Sequence, residues 1–418
     1  MPNYQGNAPV PLSPPQRDRP FRYGAHELRG MNTPRPAVRG PAGYTVTLRV
    51  YTPELSLGEH LAHRIFGHKH LGLRGHWAAV YGQLARSDTH TPARISAMKA
   101  LVLSSLSGPE ALSVKEFADP VPKPSQTLVR VRAGGINFAD VMTTKGGYPG
   151  TPAPPMIVGR EFSGVEESSG RRVMGYAQWA AFAERTPAYS NMLWPVPDHW
   201  SDEEAAAFPV NYFTAYLGYW QAGMTEAARP GRTHRVLIHA VAGGVGTAAV
   251  QIGRLLGVEM YGTSSSDEKL SKVKELGLQH GINYKRHDYE ETVKNLTHGE
   301  GVDAVFEMLG GEHTAKSLRC LRDFGKVIQY GTATGAQPKL DVRALYAKSA
   351  SVQGLWLTYL SQKPEIMGPA WQQLSGWIKE RKLTPQIGQV FPFERAVEAY
   401  KLLEQGKNYG KVILKIAA

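Results

Sequence analysis

Cysteine is almost missing from this chain: one thiol, Cys320, in 418 residues. A single cysteine excludes a disulfide framework and any zinc site built on several thiolates, and it fits a reducing compartment. Long apolar runs are missing too. No stretch of about eighteen consecutive apolar residues occurs, so no membrane-spanning helix is expected. Acidic residues are in deficit, 36 Asp and Glu against 48 Lys and Arg, for a net charge of +12. The imbalance sits mostly in residues 1–97, where 11 Arg and one Lys face five acidic residues and supply +7. The basic character is therefore mainly a property of this extension, and no specific nucleic-acid site is read from it.

The extension differs in kind from the rest of the chain. Residues 1–43 are studded with Pro, Gly and Arg and are expected to be disordered. His60, His63, His68, His70 and His76 lie near one another, but no cysteine or carboxylate set completes a metal site. Three readings compete: an Arg-rich transit segment, an arm for an acidic partner or nonspecific nucleic-acid contact, or a non-native start upstream of Met98. The change of composition at that methionine favours the third. The expected location is cytoplasmic, or mitochondrial if the extension is a genuine transit segment.

What the chain does contain is a strand, a glycine turn and a helix in immediate succession. Val236-Leu-Ile238 is the apolar run of a buried parallel strand, and Gly243, Gly244 and Gly246 make the turn around Val245. Ala248, Ala249, Ile252 and Leu255 then repeat at helical spacing. A pyrophosphate approaches backbone closely only where no Cβ intervenes, and a helix N-terminus offers free N–H groups and a positive dipole end. The full G-x-G-x-x-G pattern is broken, because its first glycine position holds Val241. Context strengthens the reading. Strand-like runs follow at Val258–Thr263, Gly281–Tyr284, Val302–Glu307 and Gly325–Gly331, with a helix expected from Asp267 to Leu276 and a stop at Gly277. This alternation predicts an α/β fold, a doubly wound parallel sheet with its ligand at the C-terminal strand ends.

An NAD-preferring site places Asp or Glu about twenty residues beyond the glycines, on the ribose hydroxyls. Here that neighbourhood reads Thr263-Ser264-Ser265-Ser266, with Lys269 one turn on. Hydroxyls and a lysine without a carboxylate suit a 2′-phosphate, so NADPH is expected over NADH. The plainer reading coexists with it: Ser266 caps the helix, Asp267 and Glu268 complement its dipole, and Lys269 is solvated.

Further blocks occur in fixed order: Ala133-Gly-Gly-Ile-Asn-Phe-Ala-Asp140, Gly146-Gly-Tyr-Pro149, Pro155-Met-Ile-Val-Gly-Arg-Glu-Phe-Ser-Gly164, Ala205-Ala-Ala-Phe-Pro209, Thr214-Ala-Tyr216, Ile282-Asn-Tyr284, Gly301-Val-Asp303 and Gly410-Lys-Val-Ile-Leu414. With the glycine turn, they make the chain from Met98 onward resemble the zinc-independent quinone oxidoreductase branch of the medium-chain dehydrogenase/reductase superfamily. Val210–Tyr216 and the ending from Phe391 resemble its vesicle amine transport protein 1-like subgroup. The resemblance implies a GroES-like, mostly β catalytic domain over 98–215, a Rossmann NADPH domain over 216–355, and a C-terminal return to the catalytic domain over 356–418. Glycine, proline and short β-prone runs in 99–190 agree with the first of these.

By the same resemblance, Asn137 and Arg160 stand where zinc relatives carry ligands, so no zinc is expected. Asn137 is a candidate amide donor in the cleft, and Tyr148 resembles the proton donor of related enoyl-thioester reductases. A phenol is protonated at neutral pH, so the chemistry is sound. Their plainer alternatives are a turn asparagine and a packing aromatic. Ser264, Ser265, Lys269 and Tyr284 are expected around the 2′-phosphate and adenosine. Asn211, Thr214, Leu309–Gly311, Gly331 and Thr332 are expected on the nicotinamide side, with Tyr212 a second-tier candidate. Lys407 or Asn408 is expected to complete the phosphate pocket, and Lys411 reads as a strand-edge lysine. The expected activity is NADPH-dependent reduction of quinones or α,β-unsaturated carbonyls by a homodimer, with Ser351–Trp356 as the edge strand. The alternatives are an enoyl-thioester reductase, a dinucleotide-binding structural or regulatory protein with little turnover, and a zinc alcohol dehydrogenase.

Overall fold

A computed structural model describes residues 97–226 and 232–417. The expectations for the N-terminal extension lie outside the described residues. Two large sheets organise the rest into a nucleotide lobe and a β lobe. A third, smaller sheet of strands Leu112–Ala118, Ala97–Leu103 and Met156–Ile157 belongs to the β lobe.

The nucleotide lobe is a six-stranded sheet in the order His280–Asn283, Glu259–Ser264, Arg235–Ile238, Val302–Glu307, Leu321–Gln329, Ser351–Gly354. Every neighbouring pair is parallel. The central strand shows why. Val236, Leu237 and Ile238 are fully buried. Leu237 packs with Tyr261, Ile282, Val305 and Val327 on one face. Val236 and Ile238 meet Ala248, Ala249 and Ile252 on the other. A strand covered by helices on both faces needs an unbroken apolar run rather than alternation. The strand order reverses between Arg235–Ile238 and Val302–Glu307, the place where such folds open a crevice for ligands.

Local signals set the helix ends. Ser266 accepts the Lys269 N–H at 3.3 Å to cap the helix Asp267–Glu275, and Gly277 follows at φ +117°. The fifth strand begins at Leu321, four residues ahead of the apolar run that the sequence displays. Arg322 and Asp323 hid it, together with an exposed Phe324, since such a strand start carries no apolar periodicity.

The β lobe is a seven-stranded sheet built on the long strand Gln126–Ile136. That strand pairs with Glu161–Glu166 and Arg185–Tyr189 along its length, and its end receives the C-terminal strand Lys411–Lys415 in antiparallel register. Gly135 permits a close crossing there, because a Cβ would lie 2.3 Å from the Ala206 carbonyl oxygen.

The lobe boundaries differ from the expected ones. Residue 216 falls inside the helix Pro209–Ala222. The helix Pro364–Lys379, expected in the return segment, buries Met367, Ala370, Leu374 and Ile378 in the core of the nucleotide lobe. Their spacing of three and four residues makes one apolar stripe turned to the buried cluster that also holds Val236 and Ile238. The return to the β lobe runs through the strand Ile387–Pro392. No helix among the described residues is long and apolar enough to cross a membrane.

Candidate cofactor and active site

The glycine turn sits at the crevice. Thr247 N–H to Gly243 O, at 2.9 Å, is the first helical bond of Gly244–Leu255. The N–H groups of Gly244, Val245 and Gly246 therefore precede any intrahelical acceptor, the helix end at which an anion is held, with Gly243 bridged to Gly410 beside them. Gly246 lets the helix rest on the turn, since a Cβ would lie 2.4 Å from the Val241 carbonyl oxygen. At Gly244 a Cβ would meet the Asn211 amide at 2.6 Å, so that side chain lies directly on the turn. This backbone cradle fits a dinucleotide pyrophosphate.

Beside the turn opens a cavity of about 650 Å³, lined among others by Gly243, Ser264, Ser265, Lys269, Tyr284 and Asn408. Lys269 Nζ donates to the Gly406 carbonyl at 2.8 Å, and burial pulls its pKa down. Leu309 lines the same cavity. Its loop is tied to that of Gly331 and Thr332 by Ala333 N–H to Met308 O at 2.8 Å and Thr334 N–H to Leu309 O at 3.0 Å. Thr214 is buried on the helix Pro209–Ala222, and Lys407 is exposed on the turn before the last strand. Tyr212 is not in the cleft: its ring stacks on Phe208 at 4.5 Å and its hydroxyl accepts from Gln251.

A buried polar chain beneath the cavity was not anticipated. Glu307 accepts the N–H groups of Leu309 and Gly310 at 2.6 and 3.1 Å through Oε1, and the Ser317 hydroxyl at 2.5 Å through Oε2. His239 joins Ser317 to Thr263 at 3.0 and 3.1 Å. Thr263 leads directly into Ser264 and Ser265, so the chain spans both halves of the crevice.

The β lobe contributes a second buried cluster. Lys411 Nζ contacts Glu161 Oε1 and donates to Asn137 Oδ1 at 2.6 Å and Asn211 Oδ1 at 3.4 Å. Asn137 Nδ2 donates to Glu161 at 3.0 Å and Gly135 O at 3.2 Å. The amide donor expected of Asn137 is thus committed inside the protein. Burial pushes the Glu161 carboxyl up, against the pull of Lys411, the Val210 N–H and the Asn137 amide. Deleting one member of such a pair strands a buried charge at a cost of roughly 3–5 kcal/mol. Lys411 begins the last strand just after Gly410, whose N–H donates to the Ala242 carbonyl of the glycine turn at 2.8 Å. Lys411 is therefore a joint between lobes, not a strand-edge lysine. Its position after Gly410 in the family pattern was the one available hint.

Tyr148 lies beyond this cluster. The Arg160 guanidinium sits 3.8 Å from the Tyr148 ring centroid and 4.1 Å from that of Trp179, with Asp140 Oδ1 at 3.4 Å from its Nε. Burial pushes the Asp140 carboxyl up, against the pull of Arg160. Cys320 is buried at the end of the helix Glu312–Cys320, its thiol pushed up to about 12, and takes no part in the cleft.

Comparison with known proteins fits this geometry. Residues 123–197 match the family described as alcohol dehydrogenase GroES-like domain, and residues 244–375 that described as zinc-binding dehydrogenase. The human synaptic vesicle membrane protein VAT-1 homolog is 35% identical over 345 residues, 76% of this chain and 86% of that protein. Quinone oxidoreductase-like protein 2 of Bos taurus is 31% identical over 73% of this chain and 89% of its own. Among solved structures, the quinone oxidoreductase from Thermus thermophilus, also determined as its complex with NADPH, matches with a TM-score of 0.67 and 36% identity over 76% of this chain and all of that one. The donor set does not suit a catalytic zinc. Among the described residues no three His, Cys, Asp or Glu side chains converge. The fixed cation of Arg160 also opposes a dication at the position the resemblance gives to a ligand.

Proposed function

This chain belongs to the medium-chain dehydrogenase/reductase superfamily of oxidoreductases, and from that premise we propose that it reduces quinones or α,β-unsaturated carbonyl compounds with NADPH and without zinc. The observation that carries the cofactor preference is the strand end Thr263-Ser264-Ser265, which with Lys269 lines the cavity beside Lys285 and Arg286, Asp288 being the one carboxylate among the lining residues. Bound NADPH supplies a hydride from C4 of its dihydronicotinamide ring. The N–H groups of Gly244, Val245 and Gly246 hold the pyrophosphate. Ser264, Ser265 and Lys269 hold the 2′-phosphate, and Tyr284 flanks the adenosine. Asn211, Thr214, Leu309, Gly331 and Thr332 bound the nicotinamide side, where Lys411 fixes Asn211 and Asn137. Tyr148 donates the proton that the reduced acceptor needs, which removes the charge developing on oxygen.

The test is steady-state oxidation of NADPH and of NADH with 1,2-naphthoquinone and with trans-1-phenyl-2-buten-1-one as acceptors. A charge-assisted contact to the 2′-phosphate contributes about 1.5–3 kcal/mol, so kcat/KM is expected to favour NADPH by about tenfold or more. Lys269→Ala is expected to erode that preference while leaving the NADH rate unchanged. Equal use of both nucleotides defeats the cofactor assignment. Tight NADPH binding with no oxidation by either acceptor favours the structural or regulatory alternative.

A further inference from the structure

We propose that Thr358, Tyr176 and Trp356 form a donor cradle that turns the Tyr148 O–H toward the cleft and holds the phenolate once the proton has left. The inference rests on Tyr148 being the proton donor of the proposed reductase.

The polarity of the hydrogen bonds carries the argument. Trp356 Nε1 lies 2.8 Å from Tyr148 Oη. An indole nitrogen only donates, so the phenol oxygen accepts there. Tyr176 Oη lies 2.7 Å from Thr358 Oγ1, its sole hydrogen-bond partner among the described residues. A buried phenol O–H with a single neighbour is satisfied only by donating to it, so Tyr176 donates to Thr358. A threonine hydroxyl has one proton. With Tyr176 donating into it, that proton points along the remaining contact, 3.3 Å to Tyr148 Oη. The spacing is longer than an ordinary O–H···O bond, and such contacts tighten when charge develops in a filled site.

Both acceptor directions on Tyr148 Oη are therefore taken. Its own proton meets no acceptor among the described residues and is left for a ligand. Thr358 is only 4% exposed, a place where valine would pack as well if the site required packing alone. The Arg160 guanidinium over the ring face adds a buried positive charge next to the developing phenolate. Tyr148 comes from the β lobe, whereas Trp356 and Thr358 follow the edge strand Ser351–Gly354 of the nucleotide lobe. The donor is thus assembled only when both lobes are in place.

In the step itself the Tyr148 O–H bond breaks. Hydride from NADPH would form the new bond to the acceptor with its own electron pair, and the proton would bond to the acceptor oxygen or α-carbon, on which the displaced π pair collects. The O–H electron pair stays on the phenolate, held by Trp356 and Thr358, and solvent water restores the proton. The acceptor is reduced and NADPH is oxidised.

The full-length chain is assayed with NADPH and 1,2-naphthoquinone or trans-1-phenyl-2-buten-1-one. Thr358→Val is expected to lower kcat about tenfold, the loss of one hydrogen bond to a charged group, with KM for NADPH within about twofold. Thr358→Ser is expected to restore most of the rate. Tyr176→Phe, one bond further out, is expected to give a smaller loss of kcat. In a Tyr148→Phe background, Thr358→Val is expected to cost nothing more. Tyr148→Phe alone tests the underlying reading: unchanged kcat removes Tyr148 as donor and the cradle with it. A fall in kcat with Tyr148→Phe but none with Thr358→Val removes the cradle alone. Equal losses from Thr358→Val in both backgrounds mark it as a packing residue and overturn the inference.

Discussion

His239 is the residue whose environment says most about this site. Burial pushes its imidazole down to about 4, so it is neutral in the folded protein near pH 7. The hydrogen bonds fix its tautomer. Ser317 donates to the Glu307 carboxylate, so His239 Nε2–H must donate to Ser317, and Nδ1 accepts from the Thr263 hydroxyl. Because the folded pKa is depressed, the unfolded chain binds more protons between about pH 6.5 and pH 4. The stability this group contributes is complete above pH 6.5 and is lost as pH falls toward the folded value, about 3 kcal/mol in all. Asp140 and Glu161 act in the opposite sense, since their raised carboxyl pKa values cost stability as pH rises through them. The diagnostic quantity is therefore the difference between wild type and His239→Gln. Urea unfolding at pH 7, 6, 5 and 4 should show the wild type losing its advantage across that range. Parallel stability curves would exclude a depressed histidine.

The element that matters most is the helix Gly244–Leu255, held to its turn at one contact. A Cβ on Gly246 would meet the Val241 carbonyl carbon at 2.5 Å and its oxygen at 2.4 Å. Both are backbone atoms of the turn and cannot rotate aside. Gly246→Ala is expected to destabilise by about 1–3 kcal/mol through overpacking and to weaken NADPH binding about tenfold or more, because the N–H groups no longer converge. Gly376→Ala, in the helix Pro364–Lys379 with open space around it, is the control and should stabilise by about 0.4–1 kcal/mol. Equal effects at both glycines, by thermal melts and calorimetry, would show that the turn is not sterically set. This element could be read from sequence because strand, turn and helix are contiguous, and Ser264 to Lys269 follow within the same unit. Glu161 and Lys411 could not. They meet only because the last strand returns beside Gln126–Ile136, and a lysine after glycine looks the same on any strand. Thr358 and Tyr176 are likewise 182 residues apart, with no local pattern to join them.

At the scale of the whole molecule, the question is whether the two lobes unfold together. The core runs through both. Trp194 of the β lobe packs on Phe213 at 4.6 Å and on Trp371 at 6.1 Å, and Met174, Trp200 and Ile238 belong to the same buried cluster. The joint made by Gly410 and Lys411 adds backbone and charged contacts at the crevice itself. Splitting the lobes would expose this apolar surface and break the Gly410–Ala242 and Lys411–Asn211 hydrogen bonds. One cooperative transition is therefore expected by calorimetry, even though the chain has the length of two domains. NADPH binds the folded state only, so at about one hundred times its Kd it should add about 2.7 kcal/mol and move that whole transition upward by a few degrees. NADH at the same concentration should move it less, by the margin that Lys269 provides. Two resolved transitions, with NADPH shifting one and leaving the other in place, would mean that the lobes are independent and that the crevice is not held by a shared core.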